Sequence, residues 1–146
     1  MGARREAREL ALQALYQADL LGADDAGTKS LALFWEHFDP DAEVEVVAFA
    51  RELVEGVRQH GERIDALIAE SAEHWRLPRL SRVDLSLLRL ATFELFGRPE
   101  IPASVTLNEA VEIARRFGSE ESPAFVNGVL DHIARQLAED RARGEG

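Results

Sequence analysis

The sequence predicts an all-α protein of about seven helices in one compact bundle. Three observations predict it. Apolar residues recur at spacings of three and four along almost the whole chain, which places them on one side of a helix of about 3.6 residues per turn. No convincing run alternates apolar and polar residues as a half-buried strand does. Glycine and proline fall between the periodic segments and cut them into helix-sized lengths. With 146 residues, 46% of them apolar, the chain is long enough to bury a core of its own. One domain spanning 1–146 is the expectation, with residues 1–3 and 139–146 frayed.

The first helix runs from Arg4 to Leu21, with Ala7, Leu10, Ala11, Ala14, Ala18 and Leu21 on one face and Gly22 ending it. Thr28 is an N-cap for a second helix carrying Leu31, Phe34, Trp35 and Phe38, and Asp39-Pro40 breaks that helix. A third runs from Asp41 towards His60 through Val44, Val47, Phe49, Leu53, Val54 and Val57, with an end or bend at Gly61. A short fourth helix has Ile64, Leu67 and Ile68 inward, and His74 to Pro78 reads as a loop. Ser81 opens the fifth, with Asp84 three residues on as a weaker form of the capping box, and Gly97 and Pro99 stop it. After the stiff connector Pro99 to Pro102, Val105, Leu107, Val111, Ile113, Ala114 and Phe117 mark the sixth helix, with Gly118 as its C-terminal signal. Ser122-Pro123 then offers an N-cap followed by proline at the first helical position. The last helix carries Phe125, Val126, Val129, Leu130, Ile133 and Leu137.

Composition narrows the function. There are 17 Lys plus Arg against 27 Asp plus Glu, a net charge of -10, which argues against a general, charge-driven nucleic-acid coat protein but allows a local basic patch. The absence of cysteine excludes disulfides, thiolate zinc sites and cysteine nucleophiles. No apolar run approaches the roughly 20 residues that span a bilayer, and the N-terminus lacks the apolar stretch of a signal peptide, so a cytoplasmic protein without a membrane partner is expected. His37, His60, His74 and His132 include no pair four apart, and no glutamate precedes a histidine by three, so zinc-protease and di-iron patterns are missing. Phosphate-loop and dinucleotide fingerprints are missing too. No catalytic residue, metal site or cofactor is expected.

The first helix is the most informative element. Arg4, Arg5 and Arg8 cluster at its start, which is its positive end, where the helix dipole does not favour cations. At about 100° per residue, Arg5, Leu12 and Tyr16 share a narrow arc opposite the apolar stripe. Guanidinium groups bridge phosphates and stack on bases, tyrosine stacks, and the amides of Gln13 and Gln17 read base edges or a partner's backbone. The competing reading is a solubilising helix start with Leu12 and Tyr16 covered by another helix. At the start of the last helix, amides near Ser122 could receive a phosphate, but Glu120 and Glu121 oppose it, and ordinary capping is the stronger reading.

Three segments together resemble one family. They are Ala3 to Tyr16, Ser81 to Asp84 with Leu88 to Leu95, and Asn108 to Ala114 with Phe117-Gly118 and Phe125 to Asp131. In order, spacing and total length they are similar to the NusB family of bacterial transcription antitermination factors. The resemblance covers nearly the whole chain, is weakest from Gly22 to His74 and most specific from Asn108 to Asp131. It implies an all-helical fold of two packed three-helix subdomains and a non-catalytic RNA-binding protein. Members bind the boxA element of nascent single-stranded RNA together with the small-subunit ribosomal protein that acts as NusE. The pair helps load a complex onto RNA polymerase and suppresses termination, notably in ribosomal RNA operons. The resemblance puts the basic RNA motif on Arg4, Arg5 and Arg8, and a further RNA surface around Glu121 and Phe125. Gln13 joins them through its amide. Asp84 and Tyr16 fall on the partner surface, with a capping role as the alternative for Asp84. Many members carry a basic residue where this chain has Glu6, which weakens the local field. Asn127 is assigned a structural role. The resemblance also allows a homodimer.

Two other readings compete. One is the NusB-like domain that precedes the catalytic domain of ribosomal RNA cytosine methyltransferases; the chain length and the missing cofactor loop favour the free-standing factor. The other is a protein-interaction module whose arginine helix is merely solvated. A helical-bundle enzyme is disfavoured by the absent ligand and nucleophile patterns.

Overall fold

Alanine- and leucine-rich stretches at helical spacing form seven α-helices in the computed structural model, which describes residues 2–20, 25–36, 44–74 and 80–144. In chain order they are α1 (Ala3–Leu20), α2 (Asp25–Glu36), α3 (Val44–Gln59), α4 (Gly61–His74), α5 (Arg82–Gly97), α6 (Ala103–Phe117) and α7 (Ser122–Ala142). No strand occurs among the described residues. The chain divides into two compact units, Met1–Glu55 and Gly56–Gly146, so the boundary falls inside α3.

In the first unit α1 packs on α2. The buried residues of α1 are Ala7, Arg8, Leu10, Ala11, Leu12, Ala14, Leu15 and Ala18. At about 100° per residue they sweep roughly 200° of the helix surface, far more than one stripe. Half of them are alanines, whose short side chains let neighbouring backbone come close. Val46, Phe49, Ala50, Leu53 and Val54 of α3 are buried at the same three-and-four spacing.

In the second unit α5 packs on α4, α6 and α7, and α7 also packs on α4 and α6. Leu88, Ile113, Val126, Val129, Leu130, Ile133 and Ile64 are fully buried, each contributing roughly 1.5–3 kcal/mol of apolar burial. α5 is central enough to bury polar groups as well. The Glu94 carboxylate, buried, accepts the Thr106 hydroxyl at 2.5 Å, which ties α5 to α6. Phe93 fills a slot that two glycines leave open: a Cβ on Gly56 or Gly97 would stand 2.2 or 2.5 Å from the ring.

Helix ends show where local signals succeed and fail. Ser81 caps α5 as expected, its hydroxyl accepting from Asp84 N at 3.0 Å. α2 starts at Asp25, so Thr28 lies inside the helix and is not its cap. Gly27 lowers helix stability by up to about 1 kcal/mol but does not forbid helix. His74 belongs to the last turn of α4, which at 14 residues is not short. Gly118 follows α6 in an extended conformation, φ -94° and ψ -169°, so it is no left-handed cap. Glycine is needed there for space, because a Cβ would stand 2.5 Å from the Ser122 hydroxyl. Ser122 is the first residue of α7 and not its N-cap; Glu121 holds that position and Pro123 is second. The Ser122 hydroxyl instead accepts from Ser119 N at 2.9 Å and braces the turn before the helix. The expected end of the first helix at Leu21 and Gly22, Phe38, the Asp39-Pro40 break, the third helix's start at Asp41, the loop residues Trp75 to Pro78, and His37 lie outside the described residues.

Candidate nucleic-acid interface

The arginine cluster is built on α1 and one ring of α3. Arg4 and Arg8 stand one helical turn apart, and both reach Phe49. The Arg4 Cζ lies 4.4 Å from the ring centroid and the Arg8 Cζ 5.7 Å. An aromatic face attracts a cation without neutralising it, so both guanidinium groups are positioned here, and the exposed one, Arg4, keeps its charge for an outside anion. Their exposures differ. Arg4 is exposed, and among the described residues it makes no ion pair. Arg8 is only 7% exposed. Arg5 is half-buried on the other flank of α1, the same arc as Tyr16, which is half-buried about three turns further along.

Leu12 is 4% exposed, so the covering reading is the right one for that residue: the face opposite the alanine stripe is not an open platform. The exposed arc of α1 carries Glu6, Gln13, Gln17 and Leu20. Gln13 can therefore reach a ligand with its amide, while Glu6 places a negative charge in the same arc.

In the second unit, Glu121 is exposed at the N-cap position of α7 and makes no side-chain cap bond. Phe125 lies one turn on, half-buried, its N–H donating to Glu121 O at 3.2 Å. Glu121 and Phe125 thus share one face of the first turn, an acceptor beside part of a ring.

Asp84 is the unusual group. It is 8% exposed, and its Oδ1 is buried with no hydrogen-bond partner among the described residues. A full capping box would return a bond from this carboxylate to the cap's N–H. Here Ser81 caps the helix, but Asp84 does not reciprocate through Oδ1. Buried polar atoms are nearly always paired, so this oxygen has acceptor capacity that the described residues do not use.

The residues alone did not reveal the role of Phe49. Its spacing marked it as core, which it also is, and nothing in a linear pattern shows that two arginines 41 and 45 positions earlier reach its face. Among the described residues no group of three His, Asp or Glu could hold a metal ion, and no helix is long and apolar enough to cross a membrane.

Comparison with known proteins adds to this geometry. The NusB family profile matches residues 5–135. Transcription antitermination protein NusB of Myxococcus xanthus is 52% identical over 143 residues, covering 94% of this chain and 98% of its own length. A solved structure of T. maritima NusB superposes with a TM-score of 0.79 at 39% identity, covering 91% of each chain. A crystal structure of antitermination factors NusB and NusE in complex with dsRNA matches with a TM-score of 0.77 at 26% identity, covering 93% of this chain and 98% of the matched one.

Proposed function

The chain belongs to the NusB family, and we propose that it is a transcription antitermination factor that binds boxA-type single-stranded RNA together with the ribosomal protein acting as NusE. The observation that carries this reading is the match, over nearly its whole length and at about half identity, to relatives named for that function. The complex helps assemble an antitermination complex on RNA polymerase, notably in ribosomal RNA operons. The protein acts in the cytoplasm as one RNA-binding domain, by binding and not by catalysis, and it has the option of a homodimer.

Arg4, Arg5, Arg8 and Gln13 of the first unit are the proposed RNA contacts there, and Glu121 and Phe125 those of the second. Support comes from the Arg4 guanidinium, exposed and steadied over Phe49, and from the exposed Gln13 amide. Steadying lowers the side-chain entropy lost when a phosphate binds. Arg8, at 7% exposure, offers less surface to a ligand than Arg4 does. Phe125 presents part of its ring for stacking, and Glu121 an acceptor for a base N–H.

Asp84 and Tyr16 are the proposed partner contacts. The unsatisfied Asp84 Oδ1 suits a cationic donor from a basic ribosomal protein. A net charge of -10 repels RNA at a distance and attracts such a partner, so the partner binds readily and the pair presents more positive charge than this chain alone. The test is fluorescence anisotropy of a labelled boxA-type RNA, with and without NusE, against a scrambled RNA. Weak binding that tightens for boxA when NusE is present supports the reading. No boxA preference and no partner effect, with both proteins folded, defeats it and leaves a helical interaction module.

A further inference from the structure

We draw no further inference here: the strongest candidate, the exposed Phe117 ring where α6 ends, stands at the turn already proposed for RNA through Glu121 and Phe125, and nothing in the structure shows what covers it.

Discussion

Replacing Asp84 by alanine should make the isolated protein no less stable while making it a poorer partner. The buried Oδ1 has no hydrogen-bond partner among the described residues, and such a group costs about 1–3 kcal/mol in the free chain. Against this, a carboxylate in the first turn of α5 gains about 0.3–1 kcal/mol from the helix N-terminus. The cap itself survives, because Ser81 accepts from the backbone N–H of residue 84 and not from its side chain. The free chain is therefore expected to stay unchanged or to gain up to about 2.5 kcal/mol. If, as proposed, the same oxygen accepts from a cation of the partner, an interaction worth about 1.5–3 kcal/mol is lost and affinity for NusE should fall about ten- to hundredfold. Urea denaturation of the free protein and calorimetric titration with NusE at matched salt read the two quantities separately. A loss of more than about 1 kcal/mol of stability would show that the carboxylate already has its partner at home. Unchanged affinity for NusE would remove Asp84 from the partner surface.

Three further substitutions probe particular contacts. Gly56→Ala should destabilise by about 2 kcal/mol, since a Cβ 2.2 Å from the Phe93 ring outweighs the helix-propensity gain of about 1 kcal/mol; a lower urea midpoint at constant slope is the readout. Ser122→Ala should cost about 1–2 kcal/mol and speed amide exchange at Ser119, whose N–H loses its acceptor. Arg4→Ala should shift stability by less than about 0.5 kcal/mol yet lower the salt slope of RNA binding by about 1, whereas Arg8→Ala should also cost stability because its stem is buried. Thermal denaturation beside anisotropy checks both, and an Arg4→Ala variant with unaltered RNA binding would exclude Arg4 from the interface.

The helices were legible because their apolar period is strong and local. All seven can be read, and Ser81 as the cap of α5 is right to the residue. Errors gather where a local cue competes with a tertiary demand. Thr28 and Ser122 are good caps by residue type, but each lies inside its helix, and Ser122 is used to hold Ser119. Gly118 ends α6 as its position predicts, and the structure adds why glycine stands there: it makes room for Ser122 without turning left-handed. On α1 the period alone proposes a single buried stripe and an outer face with Leu12. The structure buries about 200° of that helix, because Arg8, Leu12 and Leu15, beside the alanine stripe, are covered as well. The arginine motif was visible as residues, but its aromatic support was not. A ring at Phe49 and guanidiniums at Arg4 and Arg8 meet only through tertiary packing, and sequence spacing carries no trace of it.

That support bears on how so acidic a chain can bind RNA. Charges separated by more than about 8 Å are largely screened at physiological ionic strength, so a net charge of -10 spread over the surface acts mainly on the approach of RNA and little on a formed contact. What decides the contact is whether nearby carboxylates consume the arginines. Over Phe49 the Arg4 cation is held by a ring quadrupole, which leaves its charge unspent, whereas Arg115 is paired with Glu112 and Arg135 with Asp131 along their own helices. Several basic side chains are thus neutralised locally, and Arg4 is kept available. The global charge then works in the other direction, drawing in a basic partner whose own charge offsets the repulsion that RNA would meet. An acidic surface with an arginine reserved on an aromatic ring is suited to binding RNA second, after the partner has changed the sign of the field.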